Sequence, residues 1–405
     1  MRRLQVVVVT VAFAAALLAR GAAAERFELQ PGFDVETRFD SNVGRNETDE
    51  QADFVYQLRP HLSGTYRDDR LNLGGTIEPL WNGYARFSSA SAISVFANAT
   101  GSYAITPRTR VFATDRFSRL KNLPASAIVG DTSLDTGFET LLLNIATLGM
   151  SHRWLPRLGS QLSLNSVVRD SDREGNLDTT SFGATVSMEY TLTPRNVVGG
   201  GVRVRYDSGV QNPDPLAVLR FKQRTRTYDL FVSWSHTFDD TLTFSLQGGP
   251  AFVNVSTLTF ADSAQTFLRD DQRSTTFFGS ANVSKRWKNV KVNLDYFRTL
   301  SPPQSTVGSS VEDQVQGGAS WTPARFWTVF GTLRWIQRKA ERSDNDFRQI
   351  FASLQVQRRL GRWTTLAGFY RFNRQNSTST GRGTGSFDDH IVGLRLRFEL
   401  EPLIF

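Results

Sequence analysis

The chain of 405 residues contains no cysteine, so no disulfide framework and no thiolate metal site can hold it together or carry its chemistry. Lysine is nearly absent as well: of 47 basic residues only Lys121, Lys222, Lys285, Lys288, Lys291 and Lys339 are lysines, so cationic side chains are overwhelmingly arginine. After the first two dozen residues no stretch stays apolar for the roughly 18 residues that a membrane helix needs. No long segment carries a helical period, which leaves helical bundles and α/β sheets without material. There is no HExxH, P-loop, GxGxxG or Cys/His cluster, and therefore no motif for a cofactor, a metal or a nucleic-acid partner.

What is present begins with an export signal. Arg2 and Arg3 precede an apolar run from Leu4 to Leu18, and Ala22–Ala24 supply the small residues of a cleavage site. Residues 1–24 are read as a signal peptide and 25–405 as the mature domain. Loss of Arg2, Arg3 and Arg20 lowers the formal charge from +8 to +5.

The mature chain alternates with period two almost throughout. Phe54, Tyr56, Leu58, Leu62 and Tyr66 oppose Asp53, Gln57, Arg59, His61, Ser63 and Arg67. Val198, Val202, Val204 and Tyr206 oppose Arg203, Arg205 and Asp207; Ile350, Ala352, Leu354 and Val356 oppose Gln349, Ser353, Gln355, Gln357 and Arg359. Near the end, Val392, Leu394, Leu396, Phe398 and Leu400 oppose Gly393, Arg395, Arg397 and Glu399. One apolar and one polar face is strand chemistry.

Turn lengths sort by parity. Short turns fall at 68–70, 106–108, 155–159, 193–196, 238–241, 287–289, 322–325 and 360–362, with the Pro, Asp and Asn of ordinary turns. Longer polar segments, such as 44–51, 123–134, 170–177, 208–223, 256–275, 339–346 and 374–389, take turns with them. The pattern predicts eighteen strands, eight short turns and nine long loops: an all-β, antiparallel up-and-down transmembrane β-barrel with apolar residues toward lipid and polar ones toward the lumen. An even strand count puts both chain ends on the short-turn side, expected to be the periplasm of a Gram-negative outer membrane. Trp154, Trp287, Trp321, Trp327 and Trp363 lie near short turns, and Tyr84, Tyr206, Tyr296, Trp335 and Tyr370 toward the long loops, as two interfacial girdles. Pro60, Pro79 and Pro250 fall inside strands, Pro60 and Pro79 opposite one another or one diagonal apart, and predict lapses in the ladder. Pro402 predicts a bulge before the terminal Phe405, an aromatic end like the signal read by the barrel-assembly machinery.

For an enzyme, the best pair is His390 with Asp389, and it lacks a nucleophile at a recognisable spacing. The expectation is no enzyme, no cofactor and no metal. The candidate site is the lumen, where Arg59, Arg203, Arg205, Arg334, Arg359, Arg395 and Arg397 are the expected substrate contacts. A planar guanidinium fork suits carboxylates and sulfates, and a row of them can guide an anion by weak repeated contacts. The loops at 208–223, 256–275 and 374–389 are long enough to fold in and constrict the pore.

Residues 38–75, RFDSNVGRNETDEQADFVYQLRPHLSGTYRDDRLNLGG, resemble the start of the type-2 β-barrel porin family: Asp40 and Asn42 end a strand, Asp53 closes a polar loop, and Arg59-Pro60-His61-Leu62 follows. The rest of the chain is similar in architecture only. The resemblance implies a passive outer-membrane conduit associated with exopolysaccharide export, whose partners are outer-membrane lipid, lipopolysaccharide and export components. The leading expectation is passage of a polysaccharide or other anionic solute. The rivals are a general diffusion porin, a closed structural or adhesive barrel acting through its loops, and a barrel hydrolase.

Overall fold

The computed structural model describes residues 26–44, 50–121, 140–172, 177–211, 219–261, 266–301, 310–340, 346–377 and 386–405. The export signal at 1–24 and the loop at 123–134 lie outside these residues; of the expected loop at 374–389 only 378–385 does, its ends 374–377 and 387–389 being strand.

Eighteen long strands follow one another in space as in sequence. They are β1 (Arg26–Asp40), β2 (Asp53–Arg67), β3 (Leu71–Tyr84), β4 (Ala92–Thr106), β5 (Thr109–Lys121), β6 (Thr140–Leu155), β7 (Leu158–Ser171), β8 (Leu177–Thr193) and β9 (Asn196–Gln211) in the first half. The second half holds β10 (Leu219–Asp239), β11 (Leu242–Ala261), β12 (Thr266–Arg286), β13 (Val290–Ser301), β14 (Ser310–Ala324), β15 (Trp327–Ala340), β16 (Asp346–Arg359), β17 (Thr364–Ser377) and β18 (Phe387–Glu399). Each pairs antiparallel with its neighbours, and β1 pairs β18 from Gly32↔Glu399 to Asp40↔Ile391, closing the barrel. A closed ring leaves no open edge of the kind lipid cannot satisfy. The tight connections all fall at one end, between β2 and β3, β4 and β5, and so on around the ring.

Alternation sorts the faces as the sequence predicts. Val232 (71% exposed), Leu394 (56%), Leu230 (55%) and Leu333 (57%) point outward, while Asp34, Glu36, Arg38 and Asp40 on β1 are buried inward. A circumferential band of exposed Val, Leu, Ile and Phe is an outer surface made for lipid rather than water. Trp154, Trp287, Trp321 and Trp327 are exposed at the tight-turn end. Tyr84 departs from the expected loop-side girdle: it is 5% exposed and points inward against Val43 and Val55. Its parity is that of the inward Leu80 and Asn82, which the aromatic count overlooked.

The prolines act as expected. The β2–β3 ladder lapses between Leu58↔Trp81 and Leu62↔Ile77, with Pro60 directly opposite Pro79. The β10–β11 ladder lapses between Asp229↔Ala251 and Val232↔Gly248, at Pro250. In each case a ring without an N–H stands where the ladder wants a donor. At Pro402 the chain adds one residue relative to β1 and then resumes pairing as β19 (Leu403–Ile404), opposite Glu28 and Leu29. The Phe405 N–H donates to the Phe27 carbonyl at 2.9 Å, and the two rings lie 6.0 Å apart.

Two expected long loops are corrected. In 256–275 the ladder continues unbroken to Ala261↔Thr266, so only 262–265 separate β11 from β12. Likewise β9 runs to Gln211 and β10 starts at Leu219. Polar, Arg- and Asp-rich residues read as loop because no lipid-facing apolar set marks them. They are strand that rises past the apolar band, with charged residues on the outer face and buried polar ones, Gln223, Thr225 and Thr257, on the inner. The β12–β13 ladder, in contrast, stops at Gly279↔Arg298. Above that point β12 pairs only with β11.

Candidate functional site

The inward faces bring charged side chains together on β17, β18, β1, β2 and β3. Register places Asp34 opposite Arg397, Glu36 opposite Arg395 and Arg38 opposite Gly393. Arg397 grips Asp34 with a two-pronged fork, Nε to Oδ1 at 2.9 Å and Nη2 to Oδ2 at 3.0 Å. Arg395 holds Glu36 Oε2 with Nε at 2.8 Å and Nη2 at 2.5 Å, and Arg38 reaches Oε1 of the same carboxylate at 3.1 Å. Arg371, from β17, adds a third positive charge facing Glu36. Its guanidinium lies 4.4 Å from the centre of the Phe369 ring, a cation–π contact. Arg59 stands beside Glu78 at 4.0 Å and 5.9 Å over the Phe96 ring. Glu36 is 3% exposed, yet the side chains of Arg59 and Arg397 keep 28% and 43% of their surface open to the lumen. Charge-assisted forks fix the arginines in place while leaving donors free for a passing anion.

Arg203 and Arg205 stand on β9, nine strands away around the ring. Arg203 is 3.8 Å from Asp229 and lies over the Phe231 and Phe278 rings at 5.9 and 5.7 Å. Arg205 pairs with Asp207 at 3.0 Å and donates Nη2 to the Leu300 carbonyl at 3.0 Å. That bond ties β9 to the upper end of β13. Arg334 sits apart on β15, 5.5 Å over Phe351. Arg359 joins Arg325, Arg395, Arg397 and Glu399 around a recess of about 330 Å³ at the tight-turn mouth. The seven expected contacts are therefore three neighbours on one wall, two on the far wall, one between them and one at the mouth.

Sequence reading missed further lumen arginines, among them Arg338, buried against Glu312 at 2.6 Å. Arg371 is hidden by a strand with phenylalanine on both faces, Phe369 inward and Phe372 outward. Arg110 and Arg153 line a second recess of about 540 Å³ at the same mouth, between β4 and β8, with Ser151, Gln161, Ser187 and Glu189. Strict parity from Leu120 and Leu143, both buried inward, finds them.

The lumen is not polar all round. Toward the loop end, Leu80, Leu120, Leu141 and Leu143 pack together inside β3–β6, and Phe231, Ala251, Val253, Val255 and Phe278 pack together inside β10–β12. All are 8% exposed or less. Gly201 on β9 borders this second cluster: a Cβ there would sit 2.7 Å from the Phe231 ring, so only glycine leaves that ring its room.

Of the motif residues of 38–75, Asp40, Asn42 and Asp53 are structural caps, while Arg59 lines the lumen. Asp53 accepts the N–H groups of Arg86 and Phe87 at 3.0 and 3.1 Å, and the Asn42 N–H donates to Asp40 at 3.2 Å. The His390–Asp389 pairing is corrected. Asp389 is buried inward at 1% exposure, whereas His390 points outward and shares a 2.9 Å hydrogen bond with the Tyr370 hydroxyl. Adjacent strand residues face opposite sides, so the two cannot act as base and orienting acid.

No family model matches the chain, and no curated protein matches it; the family likeness of 38–75 therefore rests on those residues alone. Solved structures it resembles include OccAB4 of Acinetobacter baumannii (9% identity, TM-score 0.44, covering 95% of this chain and 100% of that one). They also include OccK3 (OpdO) of Pseudomonas aeruginosa (14%, 0.41, 92% and 95%) and the ferric citrate transporter FecA (8%, 0.48, 94% and 79%). At these values the likeness bears on neither substrate nor mechanism. The barrel and its lumen carry the argument.

Proposed function

We propose that the protein is an outer-membrane diffusion channel preferring small anionic solutes, exported by a signal peptide at 1–24, with both ends of the barrel chain in the periplasm. The observation that carries this reading is the guanidinium row Arg59, Arg371, Arg395 and Arg397, anchored by Glu36, Asp34 and Glu78, with the side chains of Arg59 and Arg397 open to the lumen. Arg203, Arg205, Arg334 and Arg359 extend the cationic lining around the ring. A carboxylate or sulfate can pass from fork to fork without being held by any one. The packed apolar clusters at the loop end favour a small solute over a polysaccharide chain, so general diffusion is the better supported form of the reading.

The test is conductance of the refolded barrel in a planar bilayer under a salt gradient. The wild type is expected to pass anions in preference to cations. Arg59→Gln/Arg395→Gln/Arg397→Gln removes three lumen charges and should abolish or reverse the preference. An unchanged reversal potential would remove these arginines from the function; absence of any conductance would remove the channel reading itself.

A further inference from the structure

Above the apolar band, outward cations on the second half of the barrel are answered by outward acids. Arg298 lies 3.4 Å from Asp313, Arg348 3.8 Å from Asp346, and Arg374 3.6 Å from Asp388. The tall strands β10–β12 break this rule. Lys222, Arg224 and Arg226 alternate on β10 with inward Gln223, Thr225 and Thr227, each 5% exposed or less, so the three cations share the outer face. Register carries the patch across two more strands. Arg226 stands beside Asn254, which stands beside Arg273; Arg224 beside Ser256 and then Asp271; Lys222 beside Leu258 and then Arg269. Neighbouring strands are about 4.8 Å apart, so the patch is some three strands wide. Asp271 is engaged by Arg269 at 2.9 Å. Asp271 also faces Arg273, so one carboxylate stands among five outward cations; among the described residues none forms an ion pair with Lys222, Arg224 or Arg226.

Directly below lies an outward row of exposed rings, Tyr228 on β10 and Phe252 on β11, with Leu230 and Phe277 beneath. Aromatic rows of this kind sit at headgroup level. The cations thus begin where the hydrocarbon ends. A free anion would need only the charges; a lipid would use both the charges and the apolar wall under them.

We propose that the outer wall of β10–β12 is a binding site for the phosphate groups of an outer-leaflet lipid, with Lys222, Arg224, Arg226 and Arg273 as its contacts. The lipid chains lie against Tyr228, Leu230, Phe252 and Phe277, and the headgroup phosphates meet the four cations. The proposal rests on the outer-membrane reading above but not on conductance. Unpaired cations that would otherwise crowd one another are neutralised by the lipid.

The experiment incubates the purified, refolded barrel in detergent with diphosphorylated lipid A or with the same lipid stripped of phosphate, and reads retained lipid by native mass spectrometry. Phosphorylated lipid should be retained about tenfold more strongly or better, as expected when several basic side chains act together at a membrane surface. Lys222→Gln/Arg224→Gln/Arg226→Gln/Arg273→Gln should lose that preference, and Arg348→Gln/Arg374→Gln should keep it. Should the fourfold variant fail to fold, Arg224→Gln/Arg226→Gln is read in the same way. Equal retention of the two lipids, unchanged retention by the variant, or displacement of the lipid by millimolar inorganic phosphate would each overturn the proposal. Loss of lipid preference with intact conductance in the wild type would sink this site and leave the channel standing.

Discussion

The two facing walls of the lumen are built on opposite principles. On β17, β18, β1 and β2 the inward set is Arg371, Arg395, Arg397, Asp34, Glu36, Arg38 and Arg59, a lattice of forks and carboxylates. On β10–β12 it is Phe231, Ala251, Val253, Val255 and Phe278, packed on one another and on the glycines of β9. The first wall is held by charges that satisfy each other, the second by excluded water. In the channel proposed above, selectivity then rests with the charged wall, because the apolar residues are no more than 8% exposed and act by packing.

The comparison can be broken from either side. The largest effect is expected from Glu36→Ala. It strips the common partner from Arg38, Arg371 and Arg395, leaving buried guanidinium groups uncompensated at a cost of about 3–5 kcal/mol. Denaturant unfolding in lipid vesicles should show the loss, and the surviving fraction should be more anion-selective than wild type. Phe231→Ala attacks the other wall and should cost about 3 kcal/mol through the cavity it leaves, while leaving ion selectivity unchanged and raising conductance. If both variants shifted selectivity alike, the division of labour between the walls would be wrong.

The smallest effect lies outside both walls and serves as their control. At the tight turn between β10 and β11, Asp239 accepts hydrogen bonds from the Thr241 hydroxyl at 2.6 Å, the Thr241 N–H at 2.7 Å and the Leu242 N–H at 2.8 Å, and sits 3.2 Å from Lys285. These bonds, the Thr241 hydroxyl first, hold its carboxyl well below the ordinary value of 3.8. A carboxyl so depressed stabilises the fold fully above that ordinary value and loses its contribution as pH falls below it. Unfolding midpoints should therefore drop slightly between pH 5 and acid for the wild type and less for Asp239→Asn, with no change in selectivity.

Much of this architecture is legible from residue order because a barrel strand has to alternate, and alternation survives without any tertiary knowledge. The parity of turn lengths found the strand count, and Pro60, Pro79, Pro250 and Pro402 marked real lapses in the ladder. Reading failed where alternation carries no contrast. Residues 256–275 are polar on both faces above the membrane band and passed for loop. Arg371 vanished among phenylalanines, and Tyr84 was assigned by residue type against its own parity. The site was legible as a set of inward arginines but not as a geometry. Which carboxylate anchors which fork depends on a register between β1 and β18 that joins residues more than 350 positions apart.

That same closure governs how the barrel can come into being. Among the described residues, the pairing of Glu28 with Ile404 and of Phe27 with Phe405 has the greatest sequence separation. Contacts of such span carry the largest loop-closure entropy and form late. Seventeen hairpin ladders can zip between neighbours as the chain is delivered, but the ring stays an open, self-adhesive sheet until β18 meets β1 from Gly32↔Glu399 to Asp40↔Ile391. That seam, lengthened past Pro402 by Leu403 and Ile404, is the latch of the barrel, and the slower it closes, the longer the unfinished sheet is exposed to aggregation.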